Sequence, residues 1–275
     1  MIFAAETQPP TVGGIEFVNW VFWAALAGGT LLMVGITEWR GGTSPGYRKF
    51  MAATVFACAV VWLLSELTFE VIPAVADDDN PRRPLVWFFT GLAATYLAAA
   101  ILNFSRPARV LPAVGGGLVS LLALATMAGL IGMTGTSGAG VTVLLSGGLI
   151  TASLALGSVT AGMLLGHWYL VTPKLSPEPL RRLIWLLIGA LVVQGLLVAW
   201  SVVISWGVIE PVAWLTGLRF FVGVAFPLAI AVLALRATTA PSMQSTTGLL
   251  YVGLAAVMAG TIGAASLVYL GWGVV

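Results

Sequence analysis

The sequence predicts an all-α integral membrane protein with eight transmembrane helices, and three observations carry that reading. Of 275 residues, 59% are hydrophobic and 8% are charged, where a soluble domain has roughly a quarter charged, and the mean hydropathy is +1.03. Eight apolar runs each approach or exceed the ~20 residues that a helix needs to cross a hydrocarbon core of about 30 Å. The runs are continuous rather than short and alternating, so they read as helices and not as barrel strands.

In chain order the runs cover residues 17–37, 50–72, 85–102, 110–133, 146–171, 183–206, 213–235 and 249–270. A tail of residues 1–16 precedes them. It carries no basic residue and no apolar core, so it does not read as a cleavable signal peptide, and the first run is expected to insert the chain. Turn-forming stretches separate the runs: Gly41-Gly42 with Ser44-Pro45, then Pro73 to Pro84 with Asp77, Asp78 and Asp79, then Ser105 to Arg109. A glycine-rich turn at Thr134 to Gly140 divides the chain into a first four-helix bundle, 17–133, and a second, 141–275. Three prolines between Thr172 and Arg182, Glu210-Pro211, and Ala237 to Thr247 complete the punctuation.

Basic residues set the orientation. The loops after runs 1, 3, 5 and 7 hold Arg40, Arg48, Lys49, Arg106, Arg109, Lys174, Arg181, Arg182 and Arg236, and the opposite side holds only Arg82 and Arg83. Nine against two puts both termini outside a bacterial-type inner (plasma) membrane. Small residues crowd the runs, at Gly28-Gly29, Gly115-Gly116-Gly117, Gly147-Gly148 and Gly157 to Gly166, and in lipid such faces become close helix contacts.

The halves resemble each other. Met127-Ala128-Gly129-Leu130-Ile131-Gly132 returns as Met258-Ala259-Gly260-Thr261-Ile262-Gly263 at an offset of 131, and Trp87-Phe88-Phe89-Thr90-Gly91 as Arg219-Phe220-Phe221-Val222-Gly223 at 132. Glu38-Trp39 faces His167-Trp168 at 129. A duplicated unit with an even number of crossings gives two copies of the same orientation, two parallel four-helix repeats. Chance similarity between low-complexity apolar segments is the competing explanation.

Composition excludes several functions. A net charge of +2 with scattered basic residues leaves no stripe for a nucleic-acid backbone. One cysteine, Cys58, and one histidine, His167, exclude a c-type haem attachment, cysteine-held iron and sulfur, a bis-histidine haem and a multi-histidine metal site within this chain. No metal site is expected, and no covalently bound cofactor. Lys49 and Lys174 both fall in loops, so no lysine is available for a retinal Schiff base, and no HExxH or Ser-His-Asp arrangement marks intramembrane hydrolysis.

Polar residues inside the runs are then the functional candidates, because an ionisable group in hydrocarbon is costly unless paired or wet. Glu66 and Glu70, four apart in run 2, are expected on one face, and Arg219 in run 7 at a depth like that of Glu66. The three form either an outward-facing pocket for an anionic or carbonyl oxygen with a proton-exchanging carboxylate, or an ion pair locking two helices. Gln194 and Asn19 are suited to hydrogen bonds across helices. His167, Trp168 and Tyr169 at the inner end of run 5 read as ordinary interfacial anchors, and alternatively suit a quinone or quinol ring, the histidine facing a ring carbonyl and the aromatics stacking.

Phe22-Trp23-Ala24-Ala25-Leu26-Ala27-Gly28-Gly29, with eight helices in two bundles, resembles the quinone-binding anchor subunits of the polysulfide-reductase type. The resemblance implies the architecture and a quinone, and carries no site residue with it. The leading expectation is a cofactor-free membrane subunit of a redox or energy-converting complex that binds quinone or quinol and helps move protons, with the redox centres in partner subunits. A small-solute or ion transporter with its site between the halves, and a structural subunit that binds only protein partners and lipid, are the alternatives.

Overall fold

A computed structural model describes residues 14–72, 80–134, 139–172, 175–204, 213–239 and 243–269. Among these residues the chain is all-helical, and eight helices are long and apolar enough to cross a membrane. They are α1 (Gly14–Arg40), α2 (Pro45–Thr68), α3 (Arg82–Ile101), α4 (Arg106–Thr134), α5 (Ala139–Val171), α6 (Glu178–Ile204), α7 and α8 (Met243–Tyr269). Helix α7 is composite: an α segment Ala213–Phe220, a π turn Phe221–Ala225, and an α segment Phe226–Ala237.

The helices outrun the apolar runs where polar residues make good helix starts. Ser44 accepts a hydrogen bond from Tyr47 N–H at 3.2 Å, and Pro45 occupies the first turn, where its missing N–H costs nothing. Thus α2 begins five residues before its run. Helix α1 stops at Gly41, whose φ of +77° suits glycine and whose N–H closes on Thr37 O at 2.8 Å.

Packing arranges the helices as two rings. Helices α1 to α4 each pack on their chain neighbours, with α1 closing on α4; α5 to α8 repeat that pattern, with α5 closing on α8. The rings meet where α1 lies against α5, flanked by α1 on α8 and α4 on α5. Accordingly α1 is the innermost helix, 78% of its most apolar window being buried, against 33% for α3, α6 and α7.

The seam depends on small residues. A β-carbon on Gly157 would overlap the backbone of Gly29, so only glycine permits this approach. Ser153 donates its hydroxyl across it to Ala25 O at 3.1 Å, and within the first ring Ser120 of α4 donates to Ala24 O of α1 at 3.0 Å. Outside, the helices present large apolar side chains such as Leu111, Val143, Leu196, Val203 and Trp214, a surface compatible with lipid contact.

Candidate functional site

Three buried charged features stand out. The first lies at the junction of α2 and α3. Glu66 is 3% exposed in the last turn of α2, and its Oε2 accepts from Trp20 Nε1 of α1 at 2.5 Å. Its Oε1 accepts from Asn80 Nδ2 at 2.9 Å and lies 3.8 Å from Arg82 Nη2. Asn80 is the bridge: its Oδ1 accepts from both the backbone N–H and the Nε of Arg82, at 3.1 and 2.9 Å. Arg82 is itself 3% exposed at the start of α3, with its guanidinium 5.5 Å from the Trp20 ring centroid. Trp62 packs edge-on against Trp20 and Phe89, which closes the cluster from below. Beside it, Asn19 donates to Ser65 Oγ at 2.8 Å and so ties α1 to α2, the cross-helix bond expected of it.

The sequence led to a different partner for Glu66. Arg219 does not reach it, because α2 packs on α1 and α3 in the first ring whereas α7 packs on α6 and α8 in the second. Glu70 also leaves the expected face: α2 ends at Thr68, Phe69 is extended, and Glu70 is exposed beyond the helix. Arg82 and Asn80 were missed because a charge beside the acidic run Asp77 to Asp79 reads as a solvated loop residue. Those three aspartates lie outside the described residues. The available signal was Arg82 standing three residues before an apolar run that starts at Leu85.

The second feature is at the other end of the first ring. Glu38, 3% exposed in the last turn of α1, lies 3.4 Å from Arg48 Nε of α2 and 3.2 Å from Arg109 Nε of α4. A carboxylate at a helix C-terminus meets the unfavourable end of the helix dipole, and two guanidinium groups compensate it. Arg109 Nη1 also donates to Phe104 O, anchoring the α3–α4 turn. Tyr96, fully buried in α3, sits within electrostatic reach of Glu38, Arg48 and Arg109, and its hydroxyl has no protein partner. Glu38 Oε1 and Arg48 Nε likewise have no hydrogen-bond partner in good geometry. Sequence reasoning noted Glu38 only as one half of a repeat pair.

His167, Trp168 and Tyr169 sit at this same end and diverge. His167 is exposed. Trp168 lies over Gly46 in the first turn of α2, with its ring 6.3 Å from Phe50. Tyr169 is buried and donates its hydroxyl to Ser176 O at 2.8 Å, which pins the loop after α5. Gln194 is buried in mid-α6.

Arg219 is the third feature. It is 6% exposed, and its Nη1 has no partner. Its side chain borders a cavity of about 290 Å³ between α7 and α8 and, on the seam side, a void of about 20 Å³ bounded by Val21, Gly148, Ala152 and Thr261. Directly after it comes the π turn. Pro227 has no N–H to give to the carbonyl of Gly223, and the N–H of Phe226 bonds to Phe221 O in the wider π pattern.

Among the described residues no group of three or more His, Cys, Asp or Glu is placed to hold a metal ion. A comparison with protein families and a comparison with curated proteins find no match to this chain.

Proposed function

We propose that the chain is a multi-pass, membrane-embedded subunit of a redox or energy-converting complex, with both termini outside, that binds quinone or quinol and passes protons through its first ring. The observation that carries this reading is the pair of buried carboxylates, Glu38 and Glu66, held by arginines at opposite ends of one four-helix ring. Between Trp20, which contacts Glu66, and Glu38, helix α1 runs 18 residues, about 27 Å at 1.5 Å per residue, a distance close to a membrane's hydrocarbon thickness. Buried hydroxyls without protein partners, Thr30 near the middle of that stretch and Tyr96 near Glu38, are natural stations for water and protons. Exposed His167 lies at the Glu38 end, where a ring carried in lipid or held by a partner subunit could reach the imidazole. The two rings of similar packing support an internal duplication as its origin.

The test is isolation from native membranes. The reading expects co-purifying polypeptides that carry redox centres, together with extractable quinone. A chain that purifies alone and quinone-free from its native membrane would refute it. A second reading, transport of a small solute between the rings, is favoured by the void beside Arg219 at the seam. It expects solute flux from the isolated chain in proteoliposomes.

A further inference from the structure

We propose that the cavity between α7 and α8 is a binding site for an anionic amphiphile, with carboxylate or phosphate oxygens held by Arg219 and an acyl chain lying against the apolar walls. This site belongs to the second ring and does not rest on the quinone reading.

Charge is the first argument. An isolated buried guanidinium is costly, and arginines in apolar surroundings normally pair or reach up to water. Arg219 does neither: it is 6% exposed, makes no ion pair among the described residues, and leaves Nη1 unsatisfied. An anionic oxygen group would neutralise it and accept the forked donors that guanidinium presents. A neutral carbonyl would accept a hydrogen bond and leave the charge uncompensated.

Shape and access supply the second. The cavity, about 290 Å³, is at the low end for small-molecule sites, and its lining is aliphatic apart from Arg219 and Ser266. Ser266 spends its hydroxyl proton on Ile262 O at 2.9 Å, which leaves Arg219 as the polar anchor. Leu218 and Val222, on the cavity wall, are also exposed on the outer face of the bundle, at 54% and 37%. Entry is therefore from the side, where acyl chains would lie. The close approach of Gly223 to Gly260 holds α7 and α8 together at the cavity's edge, and the π turn beginning at Phe221 follows Arg219 at once, the kind of local irregularity that clusters at functional sites.

The test uses the full chain, delipidated in neutral detergent, with binding read by native mass spectrometry and by the shift in unfolding temperature. Probes are oleate, dioleoylphosphatidylglycerol, dioleoylphosphatidylcholine and inorganic phosphate. Retention and a positive shift are expected with oleate, phosphatidylglycerol or both, and not with phosphatidylcholine; oleate alone identifies a free acid, and phosphatidylglycerol a lipid headgroup. Arg219→Met should weaken the anionic probe about tenfold or more while unfolding, without ligand, at or above the wild-type temperature. Gly263→Leu is the second variant. A β-carbon there meets nothing within 4 Å and the residue lines the cavity, so leucine fills the site and leaves Arg219 in place. The same loss of binding is expected. Equal binding of phosphatidylcholine, saturation by inorganic phosphate alone, or undiminished binding in either variant would overturn the proposal.

Discussion

Glu66 shows how much one side chain depends on its neighbours. Its oxygens take donors from α1, from the segment before α3 and from Arg82, so three parts of the chain converge on one carboxylate. Removing one partner of a buried pair leaves a charge unmatched, so Arg82→Met should destabilise by about 3–5 kcal/mol, and the double variant Glu66→Gln, Arg82→Met by less than the sum of the single changes. Thermal unfolding in detergent checks this, and additive losses would show that the two groups do not act as a pair. His167 is the opposite case, exposed and free of hydrogen bonds among the described residues. Its replacement by alanine should leave unfolding within about 0.5 kcal/mol of wild type, while the quinone reading expects quinol-linked activity of the assembled complex to fall. Activity that survives with unchanged quinol affinity removes His167 from that role. At this scale the sequence was partly legible. Glu66 and Arg219, ionisable residues inside apolar runs, announced themselves by type and position, but their partners did not, because pairing depends on which helices become neighbours.

Among the elements, α7 departs furthest from the pattern of its residues. Its apolar run reads as one regular helix, yet Pro227 removes a backbone donor and the preceding turn widens to π. That irregularity turns Gly223 onto Gly260, where a β-carbon would stand 2.7 Å from the facing α-carbon. Gly223→Ala should therefore destabilise, by about 1–3 kcal/mol for overpacking. Gly91→Ala in α3 meets nothing within 4 Å and should be neutral or stabilising by up to about 1 kcal/mol, since alanine is the better helix former. Unfolding measured side by side checks the pair, and equal effects would contradict the close α7–α8 contact. Helix existence was legible everywhere because each apolar run is long. Helix starts were not, since Ser44-Pro45 looks like a loop until its capping bond is seen.

In the whole molecule, the order of packing follows from chain adjacency plus a glycine seam: short connections make sequential helices neighbours, and Gly29 against Gly157 brings α1 onto α5. The small-residue clusters marked close helix contacts, whereas the closure of α1 on α4 and of α5 on α8 was not legible, because it depends on which helices become neighbours. The basic asymmetry predicts orientation, even though Arg82 and Arg109 have been drawn into the protein. Reporters active only in the cytoplasm should work in the loop at Ser176 and fail after Val275; the reverse would invert every depth argument. The central claim is that protons cross through the first ring, driven by quinol chemistry. Its most direct test is proton release from the assembled complex in proteoliposomes when quinol is added together with an artificial electron acceptor that takes its two electrons, wild type against Glu66→Gln, with assembly scored separately. The account predicts release in the wild type and its loss in an assembled Glu66→Gln complex. Undiminished release in that variant, or none in the wild type, would contradict it.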